Sequence, residues 1–315
     1  GKKMKETILV PHTACYRCTL GCSRWVKIEE GPYKMDGPGP EYETLAALGT
    51  MCLIDNLKAV SLANDLCNRY GIDTISTGVA IAFAMEAYEK GLIKKEDTGG
   101  VELKWGDAQA MIAMVHQIGK REKVGALLGQ GVKKAAEKLG GDSWKYAVHV
   151  KGMESPMHDP RTFFSMGLTY AVGPRGACHL HGHSPLYEGV KDPVPEWGLK
   201  GTYPLFQSEG KGNVVKLSQD LTAVVNSMVS CYFLTFILKP SDLAAVLTAA
   251  TGTKYTANSL LKVGERIMAL HRAYNNRCGI KRQDDVLAPP QLEPTKEGGK
   301  AGKAPTMEGM TKDCY

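Results

Sequence analysis

Leu57-Lys-Ala-Val-Ser-Leu-Ala-Asn-Asp-Leu-Cys-Asn-Arg-Tyr70, closed by Gly71, places apolar residues at i, i+3 and i+4 and then stops at a glycine. That spacing marks an amphipathic helix, and glycine suits the left-handed turn that ends one. The same periodicity runs outward in both directions. Glu41 to Cys52 precedes it, and Thr77 to Lys90 follows with Gly91 as its stop. Asp107 caps a predicted helix through Arg121, and Gly125 to Leu139 reads as another. Further helices are predicted over Leu217 to Leu238, Ser241 to Thr251 and Ser259 to Asn275. Alternation suited to strands is scarce, Val26-Lys-Ile and Ala147-Val-His-Val being the best cases. The fold class read from this pattern is mainly α with minor β.

The helical pattern breaks from Gly140 to Met153, so the 315 residues divide into a helical domain over 1–145 and a second over 146–288. The second opens with a loop-rich stretch, Glu154 to Gly212, that holds four of the eight histidines. Residues 289–315 are poor in large apolar side chains and read as an extended tail. No internal repeat is evident.

Bulk properties exclude several classes. No run of about 18 apolar residues is present, so no transmembrane helix is expected. The formal charge is +6, but the basic residues are mixed with acids rather than arrayed in a stripe, so nucleic acid is not an expected partner. Mild basicity favours an acidic partner such as ferredoxin. The start, Gly1-Lys-Lys-Met-Lys-Glu-Thr, has no apolar signal region, and nine cysteines is an odd number. A reducing, cytoplasmic setting with some cysteines committed to metal fits better than a disulfide framework.

The chemistry is densest in His12-Thr-Ala-Cys15-Tyr-Arg-Cys18-Thr-Leu-Gly-Cys22. Three thiolates within eight residues of loop can surround an iron–sulfur cube, and Gly21 permits the tight turn. A zinc knuckle needs a second close pair of Cys or His, and none follows nearby. The fourth ligand of a [4Fe–4S] cluster must come from a distance. Cys52 and Cys67 fall in apolar helical patterns and read as core thiols. Cys178 adjoins His179, and Cys231 lies near the middle of a predicted helix; spacing alone does not choose. Glu41 and Glu43 stand at i and i+2 of a helix start, where they diverge and where acids are favoured for structural reasons alone. His179-Leu-His181-Gly-His183 would place three imidazoles on one face of an extended segment.

Several strings resemble the tungsten aldehyde ferredoxin oxidoreductase family. They are Gly37-Pro-Gly-Pro-Glu41-Tyr-Glu43, Leu66-Cys-Asn68-Arg-Tyr-Gly71-Ile-Asp73, Val150-Lys-Gly-Met-Glu154, Arg175-Gly-Ala-Cys-His179 and Gly264-Glu-Arg-Ile. They occur in order over nearly all of the chain. The resemblance implies two helical domains of that type sharing one [4Fe–4S] cluster. The family's N-terminal pterin-base β domain would lie outside these residues. It assigns the cluster to Cys15, Cys18, Cys22 and Cys231. It implies a tungsten or molybdenum bis-pterin contacted by Asn68, Asp73 and Asn226. Arg175 is a further cofactor-binding candidate, able by its own chemistry either to hold a phosphate or carboxylate in a bidentate grip or simply to brace its loop. The two pterin-binding motifs, Asp-x-x-Gly-Leu-Asp and Asp-x-x-Gly-Leu-Cys, match Asn68 to Asp73 and Asn226 to Cys231. Both leading acids are Asn here, and the second motif lacks its glycine.

Glu43, with Glu41 as the alternative, and His179 are the catalytic acid–base groups that the resemblance implies. The activity it implies is oxidation of aldehydes to carboxylates, with electrons leaving through the cluster to ferredoxin or an iron–sulfur partner subunit. A class II benzoyl-CoA reductase-like catalytic subunit and a non-catalytic electron-transfer module are the alternatives. The family's intersubunit iron motif, Glu-x-x-His, reads Leu62-Ala-Asn-Asp65 here, so a homodimer would lack that iron.

Overall fold

In a computed structural model, residues 1–10, 13–298 and 300–312 are described; His12 and Cys314 lie outside them. The chain divides into two compact units, Gly1–Val148 with Glu154–Met157, and His149–Met153 with His158–Tyr315. The described residues are mainly helical with a few short strands, as the periodicity predicts.

The first unit begins with α1 (Lys2–Thr7), then β1 (Trp25–Ile28) and β2 (Met35–Pro38), paired antiparallel from Trp25↔Pro38 to Ile28↔Met35. Alternation sends Val26 and Ile28 inward onto Met4, Ile8 and Met35. Next, α2 (Tyr42–Thr44) runs into a π-helical turn, Leu45–Gly49, and a tight 3-10 turn, Thr50–Cys52. The expected regular helix over Glu41–Cys52 is thus replaced by a widened and then narrowed one. Its backbone is pressed against Gly78, where an added Cβ would lie 2.6 Å from the Ala47 carbonyl carbon.

α3 (Leu57–Tyr70) is capped by Asn56, which accepts from the Ala59 N–H at 3.2 Å, and ends at Gly71 with φ 67°. α4 (Thr74–Glu89) is buried on nearly every side, Val79 to Met85 without a break. α5 (Ala108–Lys120) starts at Asp107, whose Oδ1 accepts from the N–H groups of Gln109 (2.8 Å) and Ala110 (3.0 Å). The stretch predicted as one helix over Gly125–Leu139 is two, α6 (Gly125–Leu128) and α7 (Val132–Leu139), broken where Gly131 adopts φ 93°. Ile81, Met85, Met111 and Met114, all fully buried, anchor this unit's core. Each such side chain contributes about 1.5–3 kcal/mol by burial.

In the second unit, α8 (Phe164–Val172) lies within the stretch that the sequence reads as loop. Its residues are buried on all faces except Val172, so it carries no amphipathic stripe to read. α9 (Gly212–Ser227), α10 (Pro240–Thr251) and α11 (Ala257–Arg277) follow. The sequence extends the first of these to Leu238, but it ends at Ser227. α9 and α11 approach closely at Gly264, where a Cβ would meet the Asp220 carbonyl oxygen at 2.4 Å. Two buried ion pairs hold the loops: Lys211 with Glu188, and Lys151 with Asp285 at 2.8 Å. Burial raises the Glu188 carboxyl above its usual range despite the facing ammonium. Beyond Pro289, where the sequence predicts an extended tail, α12 (Met307–Thr311) packs on α8 and buries Met310 completely. A few apolar side chains, Leu292, Met307 and Met310, suffice for this docking.

No single helix among the described residues is long and apolar enough to cross a membrane.

Candidate functional site

The cysteine loop of the first unit is a hairpin tied at its base. Isolated bridges pair Leu9 with Val26 and Thr13 with Ser23, and the Val10 N–H donates to the Trp25 carbonyl at 3.0 Å. Above that clamp the Cys18 N–H donates to the Cys15 carbonyl at 3.0 Å, and Arg17 and Gly21 are both left-handed at φ 53°. Arg17 carries the strain that Gly21 avoids. Cys15 and Cys22 are exposed, Cys18 is half-buried, and all three thiols are free. Several soft donors on one short turn suit a metal–sulfur centre.

The remaining cysteines sort by burial. Cys52 and Cys67 are fully buried, and burial pushes both thiols up to about 12, which disfavours the thiolate a metal needs. Cys178 is buried, whereas Cys231 and Cys278 in the second unit are both exposed and free.

Glu41 and Glu43 diverge. Glu41 is exposed and pairs with Arg24, Nη1 to Oε2 at 2.6 Å. Glu43 turns the other way, its Oε2 accepting from the Met157 N–H at 2.7 Å, while the Tyr42 hydroxyl donates to the Met157 carbonyl at 3.1 Å. The position of the Glu-x-x-His motif is used structurally: Asn64 donates to the Pro38 carbonyl at 3.0 Å, and Asp65 pairs with Arg69 at 2.6 Å.

The two Asn motifs share one geometry. After Asn68, the Gly71 N–H donates to the Asn68 carbonyl (3.2 Å) and the Ile72 N–H to the Cys67 carbonyl (3.0 Å). After Asn226, the Val229 N–H donates to the Asn226 carbonyl (3.1 Å) and the Ser230 N–H to the Val225 carbonyl (3.1 Å). Each is a helix-ending Schellman turn, with Gly71 at φ 67° and Val229 at φ 53° in the left-handed position. Each then delivers the N-cap of the next helical segment. Asp73 accepts from the Ser76 N–H at 2.7 Å at the start of α4, and Cys231 precedes the 3-10 turn Tyr232–Phe236. Asn68, Asp73 and Asn226 expose their side chains.

The histidine segment is not extended. His179–His181 forms a 3-10 turn, and at three residues per turn i and i+2 point apart. His179 and His183 face His158, which stacks on His179 with centroids 4.8 Å apart and 15° between planes. His183 stands edge-on to His158 at 5.1 Å and to His179 at 6.2 Å. His181 turns away to His271, at 6.5 Å. His181 and His271 line a cavity of about 310 Å³ with Gln219, Thr222, Asn226 and Met268. Burial, then the charge of Arg175, lowers the His181 imidazole to about 4, so it is neutral at pH 7. Arg175 itself points Nε at the Met153 sulfur, 3.5 Å away. Sequence reasoning did not single out His158, His271 or Gln219. His158 sits only four residues beyond the Val150–Glu154 string, whereas Gln219 and His271 have no local signal and are assembled by the packing of α9 and α11.

Comparison with known proteins gives this arrangement its context. Residues 1–315 match the family model described as aldehyde ferredoxin oxidoreductase, domains 2 and 3. A tungsten-containing aldehyde ferredoxin oxidoreductase from Pyrococcus horikoshii is 35% identical over all of this chain and 51% of its own length. A WOR-like subunit of an aliphatic sulfonate oxidoreductase from Pyrococcus furiosus is 30% identical, over 97% of this chain and 46% of that protein. The chain thus spans about half the length of the curated relatives it matches. Among solved structures, the active site complex of benzoyl coenzyme A reductase with 1,5-dienoyl-CoA superposes with a TM-score of 0.75. That likeness covers 99% of this chain and 53% of the other at 19% identity, so it speaks to the fold alone. By the match over its whole length, the chain belongs to the aldehyde ferredoxin oxidoreductase family, as domains 2 and 3 of that architecture.

Proposed function

We propose that the chain is the helical part of a tungsten (or molybdenum) bis-pterin oxidoreductase that converts aldehydes to carboxylates and passes the electrons to ferredoxin. The observation that carries this reading is a clamped loop with three free thiols, in a chain matched end to end by domains 2 and 3 of the family. The pterin-bound metal would supply the two-electron oxidation and a [4Fe–4S] cluster the one-electron exit.

The chain's own residues divide the remaining work. Cys15, Cys18 and Cys22 would hold the cluster together with Cys231 as the fourth ligand. Asn68, Asp73 and Asn226 present amide and carboxylate groups to the pterins. Asn in place of the family's Asp adds a donor where a carboxylate only accepts. Arg175 offers a cationic fork for an anionic group of the cofactor. Glu43 and His179 hold and move protons as the aldehyde takes up the elements of water. The Met157 N–H fixes the Glu43 carboxylate, and His158 stacks on the His179 ring, so each is oriented.

The test is elemental analysis of anaerobically purified protein, combined with aldehyde-dependent reduction of a viologen dye. About four iron per chain with stoichiometric tungsten or molybdenum is expected. Iron without either heavy metal would sink the reading, and zinc alone would remove the cluster as well. A panel including an aromatic thioester and an alkyl sulfonate tests the substrate class; turnover of either in place of aldehydes would replace it.

A further inference from the structure

Gly182 has φ 139°, and a Cβ there would lie 2.7 Å from Gln219 Cγ, so the loop carrying His181 is seated directly on α9. On the opposite side, Gly264 lets α11 approach α9 and brings His271 into view of the same cavity. The two imidazole rings are 6.5 Å apart, centroid to centroid, with 33° between their planes. Two faces that hold one flat ring between them stand about 7 Å apart, twice the roughly 3.5 Å contact distance of carbon atoms, so this pair needs to open by only about half an ångström to admit one. The tilt opens the gap as a wedge. Met268 gives the cavity an apolar wall, and Gln219, Asn226 and Thr222 bring polar groups to its lining, the Thr222 hydroxyl already donating to the Ser218 carbonyl at 2.8 Å and the Gln219 amide to the Thr169 carbonyl at 3.5 Å. His181, kept neutral by burial, offers an uncharged stacking face and one ring nitrogen as an acceptor.

We propose that His181 and His271 are the two jaws of a clamp for a planar nitrogen heterocycle whose polar edge is read by Gln219 and Asn226. Two sources share this chemistry: the pterin of the proposed cofactor and the purine of an adenine nucleotide. Where the occupant is the pterin, the site rests on the proposed function and adds stacking residues to it; where it is a purine, the site is separate.

The experiment compares the wild-type protein, as purified, with a His181→Ala/His271→Ala double variant and a His181→Phe/His271→Phe variant that keeps flat rings. Each is acid-denatured; released pterin is measured by fluorescence after oxidation and adenine nucleotide by absorbance after chromatography. Losing the stacking rings should lower the retained heterocycle about tenfold or more, since stacking on an aromatic ring contributes about 1–3 kcal/mol per base. A drop in pterin alone assigns the pterin, and a drop in adenine nucleotide alone assigns the purine. The Phe variant should retain most of the wild-type amount, with an unchanged melting transition. Equal retention by wild type and the Ala variant overturns the clamp, as does a Phe variant that loses as much as the Ala one. Wild type releasing neither heterocycle, with no fluorescence change on adding 6-hydroxymethylpterin or AMP, also overturns it. Heavy-metal content of the wild type is read in parallel: its absence sinks the proposed function while leaving a purine clamp standing.

Discussion

Val229 sits where its twin motif has Gly71, in a left-handed conformation that a β-branched side chain resists. Replacing it, Val229→Gly, removes a backbone penalty of about 1–2 kcal/mol. Almost nothing is lost in burial, because the Val229 side chain is 94% exposed. Glycine adds back about 0.5–1 kcal/mol through the greater freedom of the unfolded chain. The net expectation is a stabilisation of about 0.5–1 kcal/mol, the hydrogen bonds to Asn226 and Val225 being made by backbone in either case. The mirror change, Gly71→Val, meets no atom within 4 Å of its new Cβ and should destabilise by the same amount. Anaerobic differential scanning calorimetry reads both. For units of this size a change of 1 kcal/mol moves the transition by about 2–4 °C. The units need not melt together, so the shift belongs to the transition that contains the mutated unit. A lower melting temperature for Val229→Gly, or shifts of the same sign for both variants, would refute the equivalence of the two turns.

Lys211→Met leaves Glu188 buried without its cation and should cost about 3–5 kcal/mol; Lys211→Met with Glu188→Leu should recover most of it, as chemical denaturation of the pair of variants would show. Asp107→Ala removes both side-chain caps of α5 and should cost about 1 kcal/mol in the same assay. His181 has its folded pKa lowered to about 4 from 6.5, so the unfolded chain binds its proton first as pH falls. Its contribution is therefore present above 6.5 and declines down to about 4; His181→Gln should flatten the pH dependence of the melting temperature across that window, and an unchanged slope would count against neutral burial.

Much of the helical frame is legible because its signals are local. Leu57–Tyr70 with its Gly71 stop, and Asp107 opening α5, are read from periodicity and caps that survive folding unchanged. What fails to read is set by packing. α8 is buried all round and loses the apolar stripe that would announce it. The π-helical turn at Leu45–Gly49 answers to Gly78, a residue distant in sequence. The three imidazoles from His179 to His183 invite a two-residue period, but a 3-10 turn divides them between His158 and His271. Cys231 reads as mid-helix until the left-handed Val229 ends α9 ahead of it.

The clamped cysteine hairpin also bears on how such a protein is put together. Its thiols belong to none of the buried apolar clusters, and the bridges that hold its base are made of backbone alone. The buried apolar packing of the helical bodies therefore does not run through the hairpin tip. If the proposed cluster occupies these thiols, its oxidative loss would fall on the tip and not on that packing, leaving a scaffold ready to be reloaded.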